Sequence, residues 1–468
     1  MTKFMLLAAV AVGAFVPFSA SAQDHSGHHG HVPAPQPAPA PISAPTPSAP
    51  NHQHRAPVQD APARPVDHPM MDHSPMDHDA VGNAAQHQEH APADMPGTGS
   101  GTARLPAEEG GMHGVHLSTG DWMVMAHGYA TTAYSKATGP RGDDHLFVQT
   151  MGMVTGETDL GGARLQLKSM FSLEPLMGAR GYPNLFATGE TAGGEKLVDR
   201  QHPHDLFMEL AARIDVAVGP EVTAFLYGGP VGEPALGPSA FMHRGSARNL
   251  PLAPITHHWF DSTHITYGVV TAGVANRQFQ IEASAFRGRE PDEERWGIET
   301  PRLDSWSVRA TWNPSSHWSA QISHGRLESP EVLHPEEDEA RTTASVHYSN
   351  AQLRTTFAFS NKNRLPGDSL TAWLAEANYD ITPRHALFGR MENVANDELF
   401  DHHDPLGDRT FRVTRFEGGY AWNTPLSGPL GLALGASLAT YAKPSALDAA
   451  YGDGPVQWTL FARLSVGH

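Results

Sequence analysis

The first hundred residues are rich in side chains that bind transition metals. Imidazole nitrogen suits copper, zinc and nickel, and thioether sulfur selects Cu(I). This segment has few aromatic or β-branched residues to build a core, so a buried structural role does not explain its histidines. Metal capture is the favoured interpretation, and compositional drift in a solvated linker is the alternative. The candidate ligands are His25, His28, His29, His31, His52, His54, His68, His73, His78, His87 and His90, accompanied by Met70, Met71, Met76 and Met95.

A short repeat in this segment narrows the choice of metal. Residues 70–78 read Met-Met-Asp-His-Ser-Pro-Met-Asp-His, so Met-Asp-His occurs twice. This stretch resembles the Met-Asp-His-Ser-x-Met repeats of copper resistance protein B, a family of outer-membrane proteins with a Met/His-rich segment before a β-barrel. The resemblance implies copper binding by Met71, His73, Met76 and His78, and a role in copper tolerance. Copper, as Cu(I) or Cu(II), is therefore the favoured cofactor, with zinc and nickel left open.

Two long segments later in the chain carry a second set of candidate ligands. Long loops of this kind are usually functional. If they fold inward, the histidines are predicted to form a metal site with Asp205 or Asp261 supporting them. The alternative is a hydrogen-bonded plug that narrows a pore. The candidate ligands in these segments are His202, His204, His257, His258 and His264.

Three other loops are acidic. The runs Glu290 to Glu294 and Glu328 to Glu339 are interpreted as solvated faces, with binding of divalent ions as the alternative. The run Asp397 to Asp408 contains Asp401-His402-His403-Asp404, a further ligand candidate. Ser262 and His264 offer the residue types of a hydrolase, but adjacency in sequence does not supply the geometry that a nucleophile needs. We therefore expect no enzymatic activity.

The elements that must position these residues are β-strands. From residue 204 apolar side chains alternate with polar ones: Leu206, Met208, Leu210, Ala212, Ile214, Val216 and Val218 are predicted on one face, opposite Glu209, Ala211, Arg213 and Asp215. That is the period of a strand. Comparable segments recur to the C-terminus, and sixteen strands are predicted, near 122–134, 144–157, 161–174, 204–218, 221–228, 265–274, 277–287, 301–312, 316–327, 339–349, 351–361, 369–380, 384–393, 409–423, 429–441 and 455–466.

The connections between these strands alternate in length. Tight turns such as Gly219-Pro220 and Asn350-Ala351 alternate with long loops such as 175–203 and 229–264. Short periplasmic turns and longer extracellular loops are the rule for bacterial outer-membrane barrels. The fold class predicted is therefore all-β, an antiparallel transmembrane β-barrel of about sixteen strands in contact with outer-membrane lipid. An exported soluble all-β protein is the alternative.

Composition and termini complete the domain plan. Residues 1–22 have a lysine, an apolar run and an Ala-Ser-Ala site, which predict a secretory signal peptide. Residues 23–111 are predicted to be a disordered His/Met/Pro-rich arm, and residues 112–468 the barrel. The formal charge of -18 argues against nucleic-acid binding. The absence of cysteine excludes disulfides and thiolate metal sites.

These features lead to two functional hypotheses. In the first, a Gram-negative outer-membrane barrel carries a periplasmic arm that captures copper for sequestration, efflux or tolerance, with periplasmic copper-handling proteins as possible partners. In the second, the protein is a general porin-like channel or envelope scaffold with an incidental His-rich linker. Metal content with and without the arm distinguishes them.

Overall fold

The computed structural model describes residues 96–109, 114–407 and 409–467. Sixteen strands form a closed antiparallel barrel in which each strand pairs with its neighbours in sequence. This confirms the predicted fold class and strand number. The barrel strands are β1 (Trp122–Ala137), β2 (Asp144–Asp159), β3 (Ala163–Phe171), β4 (Phe207–Ala217), β5 (Thr223–Gly232), β6 (Thr266–Ala275), β7 (Phe279–Phe286), β8 (Ser305–Ser315), β9 (Trp318–Leu327), β10 (Asp338–Ser349), β11 (Leu353–Leu365), β12 (Ser369–Thr382), β13 (His385–Asn396), β14 (Phe411–Pro425), β15 (Leu430–Ala442) and β16 (Val456–Val466).

The barrel closes between its first and last strands. Residues 128–137 of β1 pair with residues 457–466 of β16, from Gly128 opposite Val466 to Ala137 opposite Gln457. A short strand, Val115–Thr119, pairs with residues 122–126 at the start of β1, before the residues that form this seam. Closure removes the free edges that an open sheet would expose.

The alternation of side chains sets the two surfaces of the wall. On β7 and β8, Phe279, Ile281, Trp306 and Val308 are exposed on the outside, as predicted, while their sequence neighbours are buried inside. The outside is the apolar surface that a barrel presents to lipid. The inside is lined by buried charges, including Arg309, Arg341, Arg415, Glu282, Glu376 and Glu392. Within the part of the chain that the structure describes, no helix is both long enough and apolar enough to cross a membrane.

One strand departs from the predicted alternation. The pairing of β4 with β3 shifts register between Phe207 and Glu209, which marks a bulge. A bulge adds one residue and re-aims a side chain. Met208, predicted on the apolar outer face, is therefore buried inside with Met151, Met153 and Met170.

The connections follow the predicted pattern of short turns at one end and long loops at the other. Two long loops, residues 172–206 and 233–265, fold inward, and most of their side chains are buried. Polar contacts fix them to the wall: Arg244 donates to Glu376 of β12 at 2.6 Å, and Thr256 donates to Glu392 of β13 at 2.9 Å. The described lumen is thus filled by the protein's own loops.

A segment assigned to the arm by sequence also lies inside the barrel. Short strands Gly97–Thr98 and Arg104–Leu105 pair as a hairpin. Arg104 donates to the carbonyl of Asn276 in a short turn, whereas Thr102 at the tip donates to Glu282 at 2.5 Å. The hairpin therefore enters tip-first from the short-turn end, and the predicted boundary near residue 111 is too late. Its apolar content is too small to produce a strand signal in the sequence.

Candidate metal centre

Five histidines from the two inward loops converge in one cluster, which we call the five-histidine cluster. All five side chains are buried. The ring centroids of His257 lie 5.2 Å from His258, 5.1 Å from His264 and 6.2 Å from His202. The fifth ring, His204, lies 5.2 Å from His264. The structure thus brings together all five loop histidines that the sequence singled out.

Local structure explains how each histidine reaches this point. Short strand Arg200–Gln201 pairs with Tyr182–Pro183, and the chain then passes through His202 and His204 into β4. The other loop forms a single helical turn, α1 (His257–Phe260), followed by a 3-10 turn (Ser262–His264) that leads into β6. These two short turns therefore place His257, His258 and His264 next to His202 and His204, which precede β4.

Every histidine of the cluster has its Nδ1 atom engaged by an oxygen acceptor. The Nδ1 atoms lie 2.8 Å from Glu174 Oε2 for His204, 2.8 Å from Asp261 Oδ1 for His257 and 3.3 Å from Glu290 Oε1 for His258. Backbone carbonyls take the other two: Pro203 for His202 at 3.0 Å, and Asp261 for His264 at 2.7 Å. An acceptor at Nδ1 selects the tautomer protonated there, which leaves the Nε2 lone pair for a metal.

Three of the opposite ring nitrogens make no hydrogen bond. Nε2 of His202, His204 and His264 is buried without a hydrogen bond. For His202, Glu190 Oε1 lies 3.2 Å from Nε2 but without hydrogen-bond geometry. An unsatisfied buried polar atom costs about 1–3 kcal/mol, so three in one cluster need compensation. A partly different trio, His202, His257 and His258, has one ring nitrogen from each residue within 4.8 Å of the others, a spacing that could hold a metal ion.

The electrostatic environment keeps much of the cluster neutral. Burial is the largest cause lowering the pKa of His202 and His264 well below the usual histidine range. Burial also lowers the pKa of His257, against the effect of Asp261. For His204 and His258 burial acts in the same direction, but the carboxylates of Glu174 and Glu290 outweigh it and raise the pKa of each. Neutral imidazoles with fixed tautomers fit a borderline transition-metal ion.

Carboxylates surround the cluster on the side of the acidic loops. Glu190, His258 and Glu290 form a second group of possible ligand atoms, and Glu331, His334 and Glu398 form a third. A cleft of about 10 Å³ between them is lined by Glu190, Glu290, Glu331 and His334, among others, which is about the space that one water molecule needs. Burial raises the pKa of Glu190 to about 7, although Arg295, 3.0 Å away, opposes the shift.

The interpretation of the acidic loops as solvated faces is wrong for several members. Glu290, Glu331 and Glu339 are buried, and Glu331 accepts a hydrogen bond from Lys362. Pairing with histidine, lysine and arginine side chains makes their burial possible. By contrast, Asp401, His402, His403 and Asp404 are exposed, with the ring of His402 6.1 Å from that of His334.

The predicted supporting aspartates differ in role. Asp261 orients His257 and, through its carbonyl, His264. Asp205 instead accepts from Arg295 at 3.1 Å and from Tyr267 at 3.2 Å.

Sequence reasoning missed Glu174, which lies thirty positions from His204 in an unremarkable loop and becomes its partner only on folding. Ser262 and His264, the residue types that a hydrolase would use, have other partners. The hydroxyl of Ser262 accepts a hydrogen bond from Arg341, and His264 is hydrogen bonded to the carbonyl of Asp261.

The arm ligands lie outside the described residues. These are His25, His28, His29, His31, His52, His54, His68, Met71, His73, Met76, His78, His87 and His90.

The fold defines an outer-membrane β-barrel of porin-like architecture: sixteen antiparallel strands, an apolar outer wall and a polar lumen. No family model matches the chain, and no curated protein matches it either. Among solved structures, it is similar to an anion-selective porin from Comamonas acidovorans, at 11% identity and a TM-score of 0.46, covering 74% of this chain and 99% of that one.

Two further structures give similar values. OmpF of Salmonella typhi in complex with daunomycin is 8% identical with a TM-score of 0.49, and the alignment covers 75% of this chain and 100% of that one. The outer membrane channel DcaP of Acinetobacter baumannii is 11% identical with a TM-score of 0.43, covering 74% and 98%. The likeness is one of fold alone.

Proposed function

We propose that this outer-membrane barrel binds a transition-metal ion inside its lumen, at the five-histidine cluster, and serves in the sequestration, efflux or tolerance of that metal. The observation that carries the proposal is the arrangement of the imidazoles. All five are anchored through Nδ1, and three have a buried Nε2 with no hydrogen bond. Three such nitrogens in one cluster favour a metal site over a plug held only by hydrogen bonds.

The choice of copper rests on the arm. Neutral imidazole is a suitable ligand for Cu(II), zinc and nickel, so the five-histidine cluster alone does not select one of these metals. The Met-Asp-His repeat at residues 71–78, with its resemblance to copper resistance protein B, favours copper. In the proposal the arm captures the ion and the lumen cluster receives it.

The position of the hairpin supports a periplasmic arm. Short turns face the periplasm in bacterial barrels, and residues 104–108 contact the short turns at Asn276 and Ser316. The chain therefore enters the lumen from that end. A periplasmic arm would meet soluble copper-handling proteins there, which are the partners we propose.

A porin-like channel is the second candidate, favoured by the sixteen-strand barrel itself. Sixteen strands enclose a lumen wide enough for an aqueous pathway when loops leave room for it. Here the two inward loops are fixed to the wall by buried ion pairs, such as Arg244 with Glu376. Any conducting path would therefore pass beside these fixed loops.

Metal content of the purified, detergent-solubilised protein tests the proposal. The full chain, a deletion of residues 24–95 that retains the lumen hairpin, and His257→Gln/His258→Gln are each exposed to equal copper and zinc and analysed by mass spectrometry. We expect the deletion to lose several equivalents and the double variant to lose about one. His324→Gln changes an exposed histidine on the outer wall and is the matched control.

Two outcomes contradict the proposal. If the double variant retains all of the metal bound by the full chain, the lumen cluster is not a metal site. If no form binds metal above background while planar bilayers show steady ion conductance, the porin-like channel is the better assignment.

A further inference from the structure

A second group of possible ligands lies on the lumen wall, on strands β2, β3 and β4 and the loop before β6. The described residues contain nine methionines: Met123, Met125, Met151, Met153, Met170, Met177, Met208, Met242 and Met391. Five of them, Met151, Met153, Met170, Met208 and Met242, pack in one cluster, which we call the methionine cluster. Val231, Ile265 and Tyr267 complete the cluster, so five thioethers share one apolar patch of the lumen wall.

Strand register places this cluster beside a histidine. His127 of β1 is paired with Met153 of β2, and Met153 with Met170 of β3, so the three side chains form a row across the inner wall. The bulge in β4 adds Met208 to the same cluster. His127 Nδ1 is buried without a hydrogen-bond partner. The row therefore combines soft thioethers with an unsatisfied imidazole nitrogen.

An inward loop supplies a second imidazole. His243 ends the 3-10 turn Phe241–His243, and its Nε2 lies 3.4 Å from Met170 Sδ. Two ligands on one tetrahedral ion, with bonds of about 2.0 Å to nitrogen and about 2.3 Å to sulfur, are about 3.5 Å apart.

The nearest cation is already paired. Lys168, on the same face of β3 as Met170, lies 3.8 Å from Glu209 and donates to the carbonyl of Gly101 at 2.7 Å. Glu209 therefore partly offsets the positive charge that Lys168 places near the methionine cluster. The lysine repels a monovalent ion less than a divalent one.

We propose that Met153, Met170, His127 and His243 form a separate binding site for a soft monovalent cation, namely Cu(I). Thioether and neutral imidazole are the donors that select this oxidation state. The four residues of this site differ from those of the five-histidine cluster, and the two groups adjoin at the turn Phe241–His243. The ring of Phe241 packs against His204 and His257 at 6.1 and 5.6 Å, whereas Met242 packs on the methionine cluster and His243 contacts Met170. Packing alone does not require sulfur, because leucine fills the same volume.

The test uses the full chain in detergent with methyl-labelled methionine, observed by NMR, and Ag(I) as a redox-inert probe for Cu(I). We expect Ag(I) to shift the methyl signals of Met153 and Met170 and to leave that of Met391 in place, because Met391 lies on the outer wall. Signals are assigned from Leu variants. Anaerobic Cu(I) competition titrations then measure the affinity.

Met170→Leu and His243→Gln are the test variants, and Met391→Leu is the matched control. Loss of a ligand should weaken Ag(I) and Cu(I) binding at this site about tenfold or more, at least as much as loss of a group that only supports a ligand. His243 lies in a loop, so its variant carries the test if Met170→Leu does not fold. Unmoved Met153 and Met170 signals in saturating Ag(I), or unchanged affinity in both variants, would overturn the assignment.

The same samples separate this proposal from the preceding one. His257→Gln/His258→Gln should lose copper(II) or zinc at the five-histidine cluster and keep the Ag(I) shifts of Met153 and Met170. Loss of those shifts in the double variant would show one continuous site, and the assignment of a separate site would fail.

Discussion

The Nδ1 atom of His257 lies 2.8 Å from Oδ1 of Asp261, one helical turn along the chain. The other carboxylate oxygen of Asp261 accepts from Arg244 at 3.0 Å and from the backbone of Phe241 at 2.9 Å. Despite burial, His257 and Arg244 hold the pKa of Asp261 well below its usual range. One carboxylate thus ties the five-histidine cluster to the charge network of the lumen wall.

Replacing this carboxylate tests its orienting role. In Asp261→Asn, Nδ1 of His257 loses a charged hydrogen-bond acceptor, so the tautomer of His257 is less strongly fixed. We expect metal affinity at the five-histidine cluster to fall about 10- to 100-fold, the range for loss of a group that supports a ligand. Competition titration with zinc or Cu(II) measures it. Asp401→Asn, at an exposed loop position, controls for the change of net charge, and equal affinities in the two variants would exclude the role.

Gly189 tests the packing around His258. A Cβ atom there would lie 2.5 Å from Cγ of the His258 ring, at a φ of +105°. Gly189→Ala should displace the ring, destabilise the protein by about 1–3 kcal/mol and weaken metal binding. Gly193→Ala, in the same loop at a φ of +68° with no atom within 4 Å, is the control for backbone strain alone. Similar metal affinity in both variants would contradict the role of His258 as a ligand.

Asp199 gives a prediction for pH. Burial raises its pKa from 3.8 to about 6, even though Phe186 donates its N–H to the carboxylate and Arg141 lies 3.4 Å away. Folding therefore favours the protonated form. The contribution to stability is fully present below pH 3.8 and is lost as the pH rises through 6.

Asp199→Asn should remove this dependence, since Asn mimics the neutral acid and tolerates the φ of +61°. The unfolding free energy of Asp199→Asn, minus that of the unmodified protein, should increase by about 1–3 kcal/mol between pH 4 and pH 7. Denaturant titrations at several pH values measure the difference. Asp453→Asn, in an exposed loop, is the control. A difference independent of pH would exclude the effect.

The outer wall gives a test of membrane insertion. Val308 is exposed on the outside of β8, and Leu303 is exposed in the loop before that strand. Arginine facing the bilayer midplane costs about 2–4 kcal/mol, falling toward zero near the interface. We expect Val308→Arg to lower the unfolding free energy in liposomes by this amount and Leu303→Arg to have little effect. Equal effects would mean that this face does not contact lipid.

The fold could be predicted because strands 305–312 and 279–286 alternate cleanly between apolar and polar residues. Closure into a barrel followed from the even strand number and the alternation of short and long connections. The bulge at Met208 could not be foreseen, because it depends on pairing with β3 and leaves no mark in the local pattern. The lumen hairpin at 97–105 was missed because Gly, Ser and Thr dominate it and its burial comes from the surrounding wall.

The five loop histidines could be identified from their concentration in two long loops. Their acceptors were only partly predictable: Asp261 is four residues from His257, but Glu174 and Glu290 belong to other segments. The methionine cluster had a weak sequence signal, since Met151 and Met153 share a strand face with Gln149 and Thr155. Its link to His243 depends on how the loop folds into the lumen, which no local pattern encodes.

The seam between β1 and β16 affects the order of events in folding. It joins residues 128–137 to residues 457–466, so the enclosing wall is incomplete until the last strand pairs. Contacts this distant in sequence form slowly. Until then Arg309, Arg341 and Arg415 remain hydrated, and afterwards each needs its acidic partner already in place. Closure, loop docking and dehydration of the lumen charges must therefore occur together, as one late and cooperative step.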